Sequence, residues 1–238
     1  MSEVIQRRRL FHEVADRIQQ AILSGDLRVG DPLPSERDLM ERYGVGRPAI
    51  REALLSLERT GLIVISGGER ARVARPSAQG MLAGLGPAVQ HWLADPAGVR
   101  HLQGARLLLE VALVRQAAAS ASDSEIATLL AALEANEAAR GDLKLFERTD
   151  VAFHFVFAAI SGNPIFGALH HAMIGWLTEQ RRTTLTTPGA EEGAARSHRA
   201  IYEAVGRRDA DAAEAEMRAH LNEVAQLYWR ARGQEPPA

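Results

Sequence analysis

The stretch GVGRPAIREAL, residues 44–54, decides how the first part of the chain is interpreted. Its apolar residues recur at helical spacing, while Arg47 and Arg51 lie one turn apart on a different face. Glycines allow a sharp entry, and Pro48 suits the first turn of a helix, where its missing N–H needs no partner. The stretch therefore predicts a helix with one buried face and one basic face.

The segments on either side complete a DNA-binding arrangement. A helical pattern in LFHEVADRIQQAIL comes first, and a second helix follows that Ser35 caps with Asp38 as its capping-box partner. After the quoted stretch, the β-branched run 62–66 and the pair Gly67–Gly68 predict a hairpin with a two-residue turn. Together they predict a winged helix-turn-helix, whose recognition helix enters the major groove of DNA. The alternative is a small helical domain with a solvated arginine face.

Composition limits the other classes of protein. The 238 residues indicate one or two domains, and the 46% of hydrophobic residues can form a sizeable core. The net charge of −2 is unevenly divided, because residues 1–76 carry +2 and the remainder −4. Cysteine is absent, which excludes disulfides and thiolate metal sites. Neither a secretory signal nor a long apolar run is visible, so we expect a cytoplasmic protein without a membrane partner.

The rest of the chain has an almost continuous helical pattern. We expect a mainly α protein with a winged helix-turn-helix domain over 1–75, a linker over 76–80 and an all-α helical bundle over 81–232. The predicted helices of the second part are 80–94, 98–120, 123–140, 143–161, 165–186, 191–207 and 209–231.

Four residues of the predicted bundle have the spacing of a metal site. Asp150 and His154 lie one turn apart on one helix. His198 and His220 each lie 11 residues from Asp209, where the last two helices are separated, so an antiparallel pair places them at the same depth. Three neutral imidazoles and one carboxylate suit Zn²⁺, or another divalent ion such as Ni²⁺. The alternative is that His154, among phenylalanines, is an ordinary core residue.

The quoted stretch, with LPSERDLMERY before it and LLSLERTGLI after it, is very similar to the DNA-binding signature of the GntR family of bacterial transcription regulators. The resemblance implies DNA contacts from the PSER segment, the recognition helix and the tip of the wing, namely from Arg37, Arg47, Pro48, Arg51, Gly67 and Gly68. Glu69 departs from the family pattern, because relatives often carry a basic or neutral residue there, and a carboxylate repels phosphate.

The second part resembles the FCD effector domain of the FadR branch of this family. Metal-binding members carry one Asp and three His on three helices, which Asp150, His154, His198 and His220 match in order. Arg106 matches an arginine that relatives direct at an effector carboxylate, and a surface arginine is the alternative. The resemblance implies a homodimer that binds double-stranded operator DNA and responds to a small carboxylate effector.

Longer segments, including GERARVARPSA, GNPIF and the final HLN, resemble members of this branch that respond to N-acetylneuraminate. They imply a repressor of sialic acid genes that this sugar acid releases from DNA. An activator, or a regulator that responds to lactate, gluconate or another sugar acid, stays open. A metal-dependent hydrolase is the other class, since such a metal could activate water. HExxH is absent, Glu147 is the best candidate for a general base, and a hydrolase needs no winged helix, so we expect no enzyme.

Overall fold

The computed structural model describes residues 10–67, 69–75 and 77–234. The chain divides into two compact units, an N-terminal unit that ends at Leu85 and a C-terminal unit that begins at Gly86. Within the described ranges, no helix is both long enough and apolar enough to span a membrane. The helices are α1 Leu10–Leu23, α2 Glu36–Tyr43, α3 Arg47–Arg59, α4 Ala78–Ala83, α5 Gly86–Trp92, α6 Pro96–Ser120, α7 Asp123–Ala138, α8 Leu143–Ile160, α9 Pro164–Trp176, α10 Thr178–Leu185, α11 Ala190–Gly206 and α12 Ala210–Ala231, and the strands are β1 Ile63–Val64 and β2 Arg72–Val73.

The N-terminal unit has the predicted order of helices around one apolar core. The predicted stripe of α3 is buried, with Ile50 fully enclosed and Leu54 nearly so. Ser35 and Asp38 form the predicted capping box at the start of α2. Gly44 ends that helix in the left-handed region at φ 63°, a conformation that favours glycine. These local features fix the sharp turn through which the chain enters α3.

The wing differs from the predicted two-residue hairpin. β1 and β2 pair antiparallel with Ile63 opposite Val73 and Val64 opposite Arg72, so the loop between the strands spans 65–71. The ladder stops early because the next backbone groups have other partners. The N–H of Ile65 donates to Glu58 Oε1 at 3.1 Å, and the carbonyl of Ala71 accepts from the N–H of Leu33 at 2.7 Å. Gly67 lies in this longer loop, while Gly68 is outside the described residues.

Five of the predicted helices of the second part are confirmed as α6, α7, α8, α11 and α12, and two are divided. The prediction over 80–94 becomes α4 and α5, and α4 begins inside the predicted linker because the side chain of Ser77 caps it at Gly80 N, 3.0 Å away. The prediction over 165–186 becomes α9 and α10, which meet at Leu177. This break follows from packing, since Leu177 and four of the eight residues of α10 are buried.

The core of the C-terminal unit lies among α6, α7, α8, α11 and α12. Phe153 and Phe157 of α8 pack edge to face inside it. Asp209 caps the start of α12 by accepting from Ala212 N at 3.0 Å, which fixes the junction between α11 and α12. The last two helices therefore form the predicted antiparallel pair, and their inward faces meet α8.

Candidate functional site

The basic face of the N-terminal unit is exposed. The side chains of Arg47 and Arg51 are 63% and 65% exposed, on the side of α3 away from the buried stripe. Arg37 on α2 is also exposed and lies 3.9 Å from Glu41 as an ion pair. Pro48 occupies the first turn of α3, and no side chain caps this helix end. An uncapped helix N-terminus leaves N–H groups that favour phosphate.

Three histidines of the C-terminal unit converge from separate helices. His154 on α8, His198 on α11 and His220 on α12 are buried, and their ligand atoms lie within 4.8 Å of one another. The Nε2 atoms of His154 and His220 are 3.3 Å apart, and Nε2 of His198 lies 3.6 Å from Oδ1 of Asp150. The structure therefore brings together all four residues of the predicted metal site.

The orientation of His198 is fixed by a buried amide that the sequence did not reveal. Asn136 on α7 donates through Nδ2 to Thr149 Oγ1 at 3.1 Å and to the carbonyl of Phe146 at 3.4 Å. Its Oδ1 is therefore the acceptor that faces His198 Nδ1 at 2.9 Å. The proton of the imidazole must lie on Nδ1, which leaves the lone pair of Nε2 directed at the cluster.

His154 is held by a second buried residue, Glu110 on α6. One carboxylate oxygen of Glu110 contacts His154 Nδ1, and the other accepts from Arg106 Nε at 2.5 Å. Burial alone would raise the pKa of Glu110, but Arg106 and His154 hold that pKa well below its usual range. Glu110 is therefore a carboxylate that orients His154 and pairs with Arg106. The one-turn spacing of Arg106 and Glu110 was the sequence signal that could have revealed it.

The donor set suits a divalent metal ion. Burial lowers the pKa of His198 and of His220 well below the ordinary value, and the neighbouring imidazoles lower both further. Both rings are therefore neutral, which is the form that binds metal. Nε2 of His198 is buried without a hydrogen-bond partner among the described residues. A lone pair left unused beside other imidazoles is available to a metal ion.

A cavity adjoins this cluster and is polar on one side. Asp150 and His220 line it together with Arg106 and Arg181, and the two arginines also line a second, neighbouring cavity. Arg181 was not predicted; its side chain is buried, and its Nη2 donates to the carbonyl of Ile174 at 3.0 Å. Its Nε lies 3.9 Å from Asp150 Oδ2 and has no hydrogen-bond partner in the described chain. The cavity therefore presents two guanidiniums beside the histidines, which is a setting that favours an anion.

Comparison with protein families identifies both units. Residues 10–73 match the model described as "Bacterial regulatory proteins, gntR family", and residues 102–223 match the FCD domain. The "HTH-type transcriptional repressor NanR" of Citrobacter rodentium is 43% identical over 96% of this chain and 88% of its own length. The NanR of Enterobacter sp. (strain 638) is 42% identical over the same shares.

Solved structures agree with this assignment. A GntR protein of Streptococcus agalactiae has a TM-score of 0.60 and 26% identity, covering 90% of this chain and 98% of its own. The fold is shared with E. coli McbR/YncC, which has a TM-score of 0.53 and 17% identity over 93% of this chain and 98% of its own. The two NanR relatives are named as transcriptional repressors, and the family that matches residues 10–73 is one of regulatory proteins and not of enzymes. The chain therefore belongs to the GntR family of bacterial regulatory proteins, as a DNA-binding transcription regulator with an FCD domain.

Proposed function

We propose that this regulator is a repressor that binds operator DNA as a homodimer, holds one zinc ion in each FCD domain, and leaves DNA when N-acetylneuraminate binds beside the metal. The observation that carries this proposal is the cluster of His154, His198, His220 and Asp150 next to a cavity lined by two arginines, one buried and one mostly buried. The similarity to NanR repressors over 96% of the chain supports the sialic acid as effector. Binding to DNA in a bacterium implies a cytoplasmic protein.

DNA binding begins from the exposed face of α3. Arg47 and Arg51 can reach guanine edges or phosphates from this face, and Arg37 adds a third guanidinium from α2. The uncapped start of α3 at Pro48 receives a phosphate, and Gly67 brings the backbone of the wing close to the minor groove. Gly68, outside the described residues, shares that proposed role.

The metal site is proposed on Asp150, His154, His198 and His220. Zinc suits this set, and nickel is the second choice. When bound, the ion supplies a positive centre that attracts an oxygen ligand such as a carboxylate. On the protein side, Asn136 and Glu110 hold the two imidazoles of His198 and His154 in their binding orientation. Residues that hold the second nitrogen of a metal-binding imidazole in this way maintain the affinity for the metal.

The guanidiniums of Arg106 and Arg181 favour an effector that carries a carboxylate. Both line the cavity with the carboxylates of Asp150 and Glu223, while Glu110 pairs with Arg106 and Glu147 with Arg181. A divalent ion beside them adds positive charge, which the carboxylate of an effector offsets.

Two unpaired polar atoms near the cavities favour a sugar acid over a small hydroxy acid. Nε of Arg181 is a donor without a hydrogen-bond partner, and Oε1 of Gln180 is an acceptor without one, among the described residues. Gln180 lines the second cavity with Gln103, beyond Arg106. An acid that also carries hydroxyl and amide groups offers a partner of the right kind to each atom, and lactate offers fewer such groups.

Assembly as a homodimer follows from the length of DNA that one recognition helix reads. A single winged helix contacts one half-site, and a dimer doubles the contact. The C-terminal unit exposes large apolar side chains, including Leu108 at 69% and Trp92 at 48%, that a partner can cover. Light scattering at micromolar protein, with and without DNA, tests this part, and a strictly monomeric species contradicts it.

Calorimetry on metal-loaded protein is the experiment that decides the effector. N-acetylneuraminate should bind with the highest affinity among N-acetylneuraminate, gluconate and lactate, and it should release DNA in a mobility-shift assay. Arg106→Lys is the matched variant, since it keeps a cation beside Glu110 but lacks the planar fork that grips a carboxylate. We expect it to retain metal and DNA and to lose effector affinity.

A second candidate is a regulator of the same family that responds to gluconate or lactate. The cavity residues that favour it are Arg106 and the metal cluster alone, which any carboxylate can use. If gluconate or lactate gives heat of binding and N-acetylneuraminate gives none, the effector is gluconate or lactate. The assignment to the family is unchanged by that result.

A further inference from the structure

One carboxylate of the N-terminal unit contacts both arginines of the proposed recognition face. Glu36 Oε1 lies 3.0 Å from Nε of Arg51, and Glu36 Oε2 lies 3.3 Å from Nε of Arg47. Each oxygen of the carboxylate therefore serves one guanidinium. The three side chains come from two helices, because Glu36 begins α2 while the arginines lie in the first turns of α3.

The atoms used in these contacts leave the other edge of each guanidinium open. Both arginines contact Glu36 through Nε, and in the described part of the chain neither has a second ion-pair or hydrogen-bond partner. The Nη1–Nη2 edge thus stays available for two parallel hydrogen bonds. Such a pair is the geometry in which arginine reads O6 and N7 of guanine.

Glu36 is the fixed member of the group. Its side chain is 31% exposed, about half the exposure of either arginine. It lies at the N-terminus of α2 next to the capping box of Ser35 and Asp38, where the helix dipole favours a carboxylate. The arginines have longer and more mobile stems, so the contact restricts them more than it restricts Glu36.

We propose that Glu36 is a positioning residue for sequence reading, which holds Arg47 and Arg51 with their open edges toward the bases and weakens binding to unrelated DNA. The inference rests on the proposed docking of α3. DNA phosphates compete with the Glu36 carboxylate for the same guanidiniums. Contacts of the arginines with the DNA backbone alone therefore add little to the affinity. Operator DNA adds contacts to base edges while the Glu36 contacts stay in place. Specificity is the difference between the binding free energies of operator DNA and unrelated DNA.

The test compares two duplexes with full-length, metal-loaded protein. The operator is selected from a random duplex pool by the unaltered protein, and the reference is a shuffled duplex of the same composition. Glu36→Gln removes the charge and keeps only one acceptor for two arginines. We expect binding to the shuffled duplex to tighten with a salt slope steeper by about one. The ratio of operator to shuffled affinity should fall about tenfold.

Glu36→Asp separates position from charge. It keeps the negative charge, but its shorter side chain cannot reach both Nε atoms. We expect affinity for the shuffled duplex to stay near that of the unaltered protein, while the operator ratio falls. If Glu36→Asp retains the full ratio, Glu36 does not position the arginines and the inference is wrong. Circular dichroism checks that each variant is folded.

Two further variants keep the outcomes distinct. Glu13→Gln removes the same charge from an exposed site on α1. If Glu13→Gln and Glu36→Gln have equal effects on both duplexes, Glu36 acts only through its contribution to the net charge, and the inference is wrong. Arg51→Ala tests the docking itself. If it binds the operator as tightly as the unaltered protein, the docking of α3 is wrong, and the inference falls with it.

Discussion

The arginine–carboxylate contacts of the two units differ in exposure. Arg47 and Arg51 in the N-terminal unit are 63% and 65% exposed, whereas Arg106 and Glu110 in the C-terminal unit are 11% and 3% exposed. An exposed pair contributes little to stability. A buried pair cannot lose one member without leaving an unpaired charge in the core. We therefore expect recognition and folding to be separable in the first unit and coupled in the second.

The largest effect should come from breaking the buried pair. Glu110→Ala leaves Arg106 without its partner and His154 without its orienting carboxylate, so we expect a loss of about 3–5 kcal/mol in the free energy of unfolding. Urea titration followed by circular dichroism measures it. Glu36→Ala is the exposed counterpart and should cost below about 1 kcal/mol. Equal losses in the two variants would remove the contrast between the units.

Removal of the metal should have the next effect. A ligand at about a thousand times its dissociation constant stabilises the folded state by about 4 kcal/mol, so chelation should lower the melting temperature of the loaded protein. His198→Ala deletes one of the three converging imidazoles, so it should lower metal occupancy and remove most of this stabilisation. His12→Ala removes an exposed histidine of α1 and serves as control. Metal analysis that finds full occupancy in His198→Ala contradicts the proposed ligands.

Loss of a recognition arginine should affect binding and spare stability. Arg47→Ala or Arg51→Ala should cost about 1–3 kcal/mol in operator affinity if the arginine reads a guanine. The free energy of unfolding should change by no more than about 0.5 kcal/mol, because both side chains are mostly exposed. Mobility-shift titrations and urea titrations on the same preparations give the two quantities. A loss of stability as large as the loss of affinity would make the N-terminal unit resemble the C-terminal one.

The smallest effect concerns His170 on α9. This side chain is buried, both ring nitrogens lack hydrogen-bond partners among the described residues, and burial lowers its pKa to about 4. The unfolded chain therefore binds a proton at His170 near pH 6.5, whereas the folded chain does not. The free energy of unfolding consequently falls as the pH drops below that value. Its contribution should be about 2 kcal/mol between pH 7 and pH 5.

His170→Phe tests that sign, because phenylalanine fills a similar space without a titrating group. The variant should lose less stability than the unaltered protein between pH 7 and pH 5, by about that amount. Thermal melts at both pH values decide the matter. Parallel pH profiles for the two proteins would mean that His170 takes up a proton while folded.

The features that the sequence predicted correctly depend on local rules. The capping box of Ser35 and Asp38 and the buried stripe around Ile50 follow from the spacing of a few neighbouring residues. His198 and His220 could be placed together from their equal distance to Asp209, because helix geometry converts sequence separation into depth. The winged helix-turn-helix and the helical second domain follow from the same periodicity.

The features that were missed depend on partners far away in the chain. Asn136 orients His198 across 62 residues of sequence, and no periodicity reports that contact. The division at Leu177 has no proline to mark it, and Gly175 still lies within α9, since the division arises from the packing of α10. The loop of the wing was predicted too short, because Glu58 and Leu33 bind backbone groups that a longer ladder would have used.

Because α10 is short, hydrogen exchange of its backbone amides depends on the residues packed around it. A helix of 8 residues without a side-chain cap at its start does not persist by itself. It is kept in place by inward side chains, and Gln180, Arg181 and Thr184 among them also line the cavities beside the metal cluster. Whatever fills those cavities therefore sets how often α10 opens to solvent. Amide hydrogen exchange along Thr178–Leu185 is a direct gauge of effector occupancy, independent of any DNA.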